Sequence, residues 1–388
     1  LGFTANGLHC GVRDQNKDLA LVLSDRPATA AGMFTTNLVK AAPVLVCQEA
    51  VADGSARCFL VNSGNANACT GDEGLRNARE MVRLASQSLG LEDSEVLVCS
   101  TGLIGRQLPM EKLRQGIPTL KSGLSREGGL LAAEAIMTTD AFMKTQAAVV
   151  KTANGEFRIG GMAKGAGMIH PQLATTLGFL TTDAAVPPDL LRKALAQAMD
   201  ASFNSITVDG DNSTNDCVLI LANGEEKNPS IKSGTSGYRE FLKALTALCK
   251  NLAAKIVLDG EGATKFVTVR VQGGKTRKQA YLIANSVATS SLVKTALFGE
   301  DPNWGRIYCA VGNAGAPFDP DKVDILLNQN LLLKNGCPTN LSPKKLLTAM
   351  RQHEINITID LHCGKEWEEV LTCDLSYDYV KINAEYTT

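Results

Sequence analysis

Short apolar runs rich in β-branched residues alternate along this chain with stretches whose apolar positions recur every three or four residues. The runs at 19–23, 58–61, 96–99, 147–150, 217–221, 266–271 and 355–361 predict strands. A helix is predicted over 75–89, where Leu75, Ala78, Met81, Val82, Ala85 and Leu89 share one face and Gly90 supplies a stop. A second is predicted over 188–199, with Pro188 in its first turn and Leu190, Leu191, Leu195 and Met199 spaced for one side. Residues 224–237, GEEKNPSIKSGTSG, read as a surface loop. No internal repeat or low-complexity stretch interrupts the pattern. The alternation predicts a mixed α/β chain with layered sheets and helices outside, and leaves the topology open.

Composition narrows the class. The 388 residues are 44% hydrophobic, enough for a large core and too long for one small domain, so two structural units are expected. The net charge is −1 and no block of like charge stands out, which argues against a nucleic-acid partner. No apolar run approaches a membrane span, and residues 1–8 do not form a signal peptide, so a soluble protein is expected. The chain starts with Leu instead of Met, so upstream residues are expected to be missing, and a transit peptide is one segment they could include. Eleven cysteines form no C-x-x-C pair; Cys47, Cys58, Cys99 and Cys217 sit in apolar runs and read as buried thiols. That pattern fits a reducing compartment. The four histidines do not pair at ligand spacing, and no metal site is expected.

Chemistry concentrates in 164–185, KGAGMIHPQLATTLGFLTTDAA. An Ala174-Thr175 junction lies there between a glycine-rich loop and a strand-like apolar segment. Threonine is a poor nucleophile without an adjacent base, and cutting the chain makes its own α-amino group that base. Such an amine titrates near pH 8 and accepts a proton at working pH (~7.7–8.0). Gly165 and Gly167 permit a tight bend, while Leu177, Phe179 and Leu180 can seat the new terminus in a core. His170 is close in sequence, but the terminal amine suffices as base and a supporting role is expected for the imidazole.

The segment Lys164-Gly165-Ala166-Gly167-Met168-Ile169-His170-Pro171-Gln172-Leu173-Ala174-Thr175-Thr176-Leu177 resembles that of the ornithine acetyltransferase family of arginine biosynthesis. Its precursors cleave themselves at an Ala-Thr bond within K-G-[SA]-G-M-I-x-P-x-M-A-T-M-L. Leu173 and Thr176 replace the usual methionines, and Thr176 adds a second hydroxyl beside the nucleophile. Further signatures follow in family order: NSGNANACTG from Asn62, STG-x-IG from Ser100, IMTTD from Ile136, GEGATK from Gly260, GEDPNWGR from Gly299 and KIN from Lys381. The resemblance implies a four-layer α/β/β/α sandwich. It also implies two intertwined fragments, 1–174 and 175–388, assembled as a heterotetramer of two each. A cytoplasmic protein is expected, or an organellar one after loss of a transit peptide.

An acyl-transfer site needs donors aimed at the oxyanion of a tetrahedral intermediate. Thr101-Gly102, expected as a glycine turn directly after a strand, matches the family's oxyanion pair. N2-acetylornithine and glutamate share an α-carboxylate, so the pocket needs a fixed cation, which Lys164 can supply; Glu261 is the natural partner of the ornithine ammonium. Thr138, Asn383 and Thr388, with Thr175 itself, match substrate-contacting positions. The implied reaction is ping-pong: Thr175 takes the acetyl group from N2-acetylornithine and passes it to glutamate. No cofactor is needed, and nothing in the sequence separates members that also take acetyl-CoA as co-substrate from those that do not.

Two rivals use the same features. An amidohydrolase or aminopeptidase of related fold would pass the acyl group to water, and a non-catalytic metabolite-binding protein would keep the pocket without the cut. Other motifs fail. Asp209-Gly210-Asp211-Asn212-Ser213 opens like a calcium loop but has Thr214 and Ile220 where glycine and glutamate are required; the acidic turn is expected to end a strand and face solvent. Residues 160–167 resemble a phosphate cradle but lack the P-loop order.

Overall fold

The computed structural model describes residues 1–152, 155–170, 176–227 and 229–385. They form two compact units: one comprises Leu1–Asn204 and Asn212–Ile256, the other Ser205–Asp211 and the chain from Val257 onward.

The first unit is built on an eight-stranded sheet of β1 (Phe3–Leu8), β2 (Leu19–Phe34), β3 (Ser55–Asn65), β4 (Val96–Leu103), β5 (Lys144–Thr152), β6 (Gly155–Lys164), β7 (Leu177–Thr182) and β8 (Cys217–Ala222). Its helices are α1 (Ala42–Ala50), α2 (Gly71–Leu89), α3 (Met110–Ser122), α4 (Gly129–Ala135), α5 (Pro188–Asp200) and α6 (Ser236–Leu258), the last of which runs to the unit boundary. The sheet order is β4-β3-β2-β8-β7-β6-β5, with β1 added to β2. Strand β2 shifts register between Leu23 and Ala28, a stretch containing Pro27, which has no N–H for a ladder. Its first half pairs with β1, and its second half, Thr29 to Phe34, with β8.

Alternation along the central strands explains why both sheet faces are covered. Leu19, Leu21, Cys58, Leu60, Val96 and Val98 pack with Ala78, Met81 and Val82 of α2 and Leu113, Ile117 and Leu120 of α3. Their neighbours Ala20, Val22, Phe59, Val61, Leu97 and Cys99 face the other way, against Ala132, Ala133 and Ala135 of α4. Period two puts successive side chains on opposite faces, so these strands read as continuous apolar runs. The thiols of Cys47, Cys58, Cys99 and Cys217 are buried here as expected, with Cys99 Sγ 3.2 Å from Cys217 Sγ.

The second unit contains β9 (Phe266–Gly274), β10 (Asp324–Leu327), β11 (Asn330–Lys334), β12 (Cys337–Pro338), β13 (Glu354–Asp360) and β14 (Glu366–Cys373) in the order β12-β11-β10-β13-β9-β14. Helices α7 (Arg277–Ala288), α8 (Ser291–Phe298), α9 (Trp304–Gly312), α10 (Pro343–Met350) and α11 (Tyr377–Glu385) accompany it. Val267, Val269 and Val271 of β9 and Ile355, Ile357 and Ile359 of β13 pack with Ile283, Ala284 and Val287 of α7. Two sheets, each carrying helices, supply the make-up of the expected α/β/β/α fold.

Every predicted strand and both predicted helices are present, and Gly90 caps α2 in the left-handed conformation at φ 73°. The loop expected at 224–237 departs from a solvated excursion. Ile231 is buried, Glu226 pairs with Arg158 at 2.6 Å, and α6 starts at Ser236. The glycine-rich stretch before the Ala174-Thr175 junction is a strand as far as Lys164, because Gly161 lets β6 lie close against Leu180. The compact units also cross position 175: β7 and β8 follow it in sequence but lie between β2 and β6, which precede it. Among the described residues no helix is long and apolar enough to cross a membrane.

Candidate active site

In the first unit the site forms where β3 and β4 end. These strands pair in parallel from Cys58↔Val96 to Ser63↔Thr101, and the register then breaks at Gly64 and Asn65. Gly102, at φ 130°, faces Gly64, at φ 96°. A Cβ on Gly102 would lie 2.3 Å from the Gly64 carbonyl carbon and 2.5 Å from the Asn65 nitrogen, so only glycine fits. Thr101 and Gly102 are therefore part of an irregular strand end, and β4 continues through them to Leu103 instead of stopping before them as the sequence reading had it. The irregularity is what turns their backbone out of the regular ladder.

The asparagines of NSGNANACTG hold this end. Asn62 accepts from the Ser100 hydroxyl at 2.5 Å and donates to the Asn65 carbonyl at 2.9 Å. Asn65 donates to the carbonyls of Arg106 and Gln107, and Asn67 to that of Gly74. From just before β8, Asn215 Nδ2 donates to the carbonyls of Ala66 and Ser100 at 2.6 and 2.8 Å. Each buried amide thus finds partners that a loop backbone would otherwise lack.

Lys164, the last residue of β6, donates from Nζ to Thr101 Oγ1 at 3.3 Å. Next, Gly165 donates its N–H to Asp140 Oδ1 at 2.7 Å, and the same oxygen accepts from Lys144 Nζ at 2.6 Å. The other carboxylate oxygen accepts the Thr138 N–H at 2.9 Å. The Asp140 and Lys144 side chains are fully buried. Burial alone would push the carboxyl up; the charges of Lys164 and Lys144 and these hydrogen bonds outweigh it and hold its pKa down at about 2. Arg13 completes the frame by donating to the Met137 and Thr138 carbonyls. Thr176 is buried and its hydroxyl donates to the Lys164 carbonyl, which leaves it engaged with backbone.

In the second unit, Gly262 takes φ 66°, and a Cβ there would meet the Tyr379 nitrogen at 2.5 Å. This close approach seats the GEGATK loop against α11, where Ser376 Oγ donates to the Gly262 carbonyl at 2.6 Å. Asn383 Nδ2 donates to Glu261 Oε2 at 2.9 Å, so two expected substrate contacts are joined directly. Asp374 fixes the far end of the loop through the N–H groups of Thr264 and Lys265. The acidic turn at Asp209 differs from expectation: it follows an isolated bridge, Ile206↔Leu371, instead of a strand, and Asp209 accepts from the Tyr379 hydroxyl at 3.2 Å.

Of the residues singled out by sequence, Thr101, Gly102, Thr138 and Lys164 come together in one network, and Glu261 and Asn383 in another. Ala174, Thr175 and Thr388 lie outside the described residues, and His170 is half-buried. Asp140, Lys144, Asn215 and Arg13 escaped the sequence reading. For Asp140 and Lys144 a signal exists, opposite charges four apart at the end of IMTTD, but that spacing equally describes a surface pair. Among the described residues no group of three or more His, Cys, Asp or Glu could hold a metal ion.

A strand-end turn with backbone and hydroxyl donors, a lysine ammonium on its threonine and a buried carboxylate behind them can stabilise an oxyanion and hold an anionic substrate, the equipment of an acyl-transfer enzyme. The chain belongs to the ArgJ family, whose model matches residues 4–388. It is 49% identical to the arginine biosynthesis bifunctional protein ArgJ of Symbiobacterium thermophilum over 100% of this chain and 97% of that protein. The Geobacter sulfurreducens protein of the same name is 48% identical over 100% and 99%. The crystal structure of the argJ protein from Bacillus halodurans matches with a TM-score of 0.52 and 39% identity, covering 53% of this chain and 97% of that one.

Proposed function

We infer that this chain is a self-processing acetyltransferase of arginine biosynthesis that moves the acetyl group of N2-acetylornithine to glutamate. The observation that carries this reading is the family match over residues 4–388, which spans the residues of both networks. Cleavage between Ala174 and Thr175 frees the Thr175 amine. The hydroxyl of Thr175 attacks the acetyl carbonyl while that amine takes its proton, and the oxyanion rests on Thr101 and Gly102. Collapse breaks the C–N bond, the amine returns the proton, and ornithine leaves. The glutamate amine then attacks the threonine ester and gives a proton to the Thr175 amine; collapse breaks the ester C–O bond, the proton returns to the Thr175 oxygen, and N-acetylglutamate leaves.

Lys164 holds the α-carboxylate common to both substrates, and Glu261 holds the ornithine ammonium, with Thr138, Asn383 and Thr388 as further contacts. The reaction exchanges an amide for an ester and back, so it calls for no cofactor; acetyl-CoA is a second donor to try in the same assay. The fragments, two of each, form the assembly. The length of the Bacillus halodurans chain supports the cut. Covered over 97%, it spans 53% of this chain, close to the share of residues 175–388, which are 214 of 388 or about 55%.

Mass spectrometry tests the reading. The 41.2 kDa chain should give fragments of about 18 and 23 kDa in proportion to their lengths, the larger starting with Thr175 and gaining one acetyl mass from N2-acetylornithine alone. Thr175→Ala should stay whole and inactive, and Thr176→Ala should still cleave. A larger fragment starting at Thr176, or acetate as the product in place of N-acetylglutamate, would overturn it, the latter in favour of the hydrolase.

A further inference from the structure

We infer that Asp140 is a positioning residue for substrate binding, acting through Lys164 and the Gly165 turn. The inference rests on the proposed role of Lys164 as the holder of the substrate carboxylate. Asp140 could be read as one half of a structural pair with Lys144, four residues on, and the two are indeed fully buried 2.6 Å apart. Yet an apolar pair of similar volume would fill that space without desolvating two charges. What a carboxylate adds is direction and field, and both are aimed at the site. Oδ1 accepts the N–H of Gly165, the residue after Lys164, and Oδ2 accepts the N–H of Thr138. One side chain therefore ties the end of β6 to the loop between α4 and β5, and each of these segments carries an expected substrate contact. Its charge also acts on Lys164, whose own charge is the largest of the influences that favour the ionised carboxylate. Lys144 donates to the same oxygen as Gly165, which ties the carboxylate to its place beside the turn. The ammonium stays within 3.3 Å of Thr101 Oγ1, where it can meet an incoming anion.

A double-mutant cycle between Asp140 and Lys164 separates positioning from scaffolding. Apparent KM and kcat are measured for N2-acetylornithine and glutamate in the processed enzyme carrying Asp140→Asn, Lys164→Met, or both, with melting temperatures alongside. Asp140→Asn should raise both KM values about 10- to 100-fold, the loss typical of a hydrogen bond to a charged group. In the Lys164→Met background it should change them by less than about twofold, because the residue it acts through is gone. Equal losses in both backgrounds would overturn the inference. Because Asp140→Asn strands the Lys144 charge, Asp140→Asn with Lys144→Met provides a second variant without it. If this pair of changes restores wild-type KM and processing, the stranded charge caused the defect and positioning is refuted; persistent weak binding in a stably folded protein supports it. Wild-type KM values in Lys164→Met alone would instead reject the carboxylate-holding role of Lys164.

Discussion

Gly102→Ala is the sharpest probe of the proposed oxyanion turn. The added methyl would stand 2.3 Å and 2.5 Å from atoms of the Gly64–Asn65 backbone, and backbone cannot rotate away as a side chain can. Relief requires the ends of β3 and β4 to part, which moves Thr101. A φ of 130° adds strain for any residue with a Cβ. Conformational strain of about 1–3 kcal/mol and overpacking of about 1–3 kcal/mol together predict a loss of roughly 2–6 kcal/mol if the turn kept its shape. The protein should escape part of that by distorting the turn. Misplacing one oxyanion donor typically lowers kcat about 10²–10³-fold. The assay is ornithine release from N2-acetylornithine in the presence of glutamate, with kcat and KM separated and melting followed in parallel. Gly105→Ala is the control: its φ of 78° is also left-handed, but nothing lies within 4 Å of the new methyl. It should lose about 1–2 kcal/mol of stability at most and keep its turnover. If Gly102→Ala turns over within about threefold of wild type, less than 1 kcal/mol of barrier is at stake and the turn is not the oxyanion site.

Two other outcomes are expected. Glu261→Gln should raise the KM of N2-acetylornithine about tenfold or more and that of glutamate little, since only the former brings a side-chain ammonium; Lys164→Met should raise both. An equal fall in turnover with unchanged KM values would place Glu261 in the transition state instead. Asp140, with its carboxyl lowered from 3.8 to about 2, contributes stability that is complete above pH 3.8 and lost as the pH falls toward 2, about 2 kcal/mol in all. Urea titrations across that window should show a shallower acid loss when Asp140→Asn and Lys144→Met are combined, and an unchanged slope would refute the linkage.

The central strands were legible because their runs are continuously apolar, as in 58–61 and 96–99. Strand β6 was not, because GEFRIGGMAK mixes charge with three glycines, and its partner β7 supplies the apolar surface. The long helix α6 also escaped, since SGYREFLKALTALCKNLAAKIVL is apolar on more than one side and its start hides in a polar stretch. Thr101 and Lys164 were found through motif and chemistry, but their 3.3 Å contact joins positions 63 apart, which no local pattern records. Asp140 shows the limit most clearly. Its spacing from Lys144 fits a surface pair equally well, and only the fold encloses it.

The order of strands in the first sheet has a consequence for how this enzyme comes into being. The pair β7–β8 is held along six residues by β2 on one side and six by β6 on the other. Neither flank comes from its own side of position 175. If the chain is cut at 174–175 as we propose, the cut removes one covalent link from a sheet whose hydrogen bonds join strands on both sides of that position. Maturation is irreversible in this sense: the pieces, once unfolded and separated, must find each other again as two molecules, where the precursor had only to find itself. Refolding yield after denaturation should depend on concentration for the cut protein and not for Thr175→Ala, so the nucleophile is made at the expense of the chain's ability to repair its own fold.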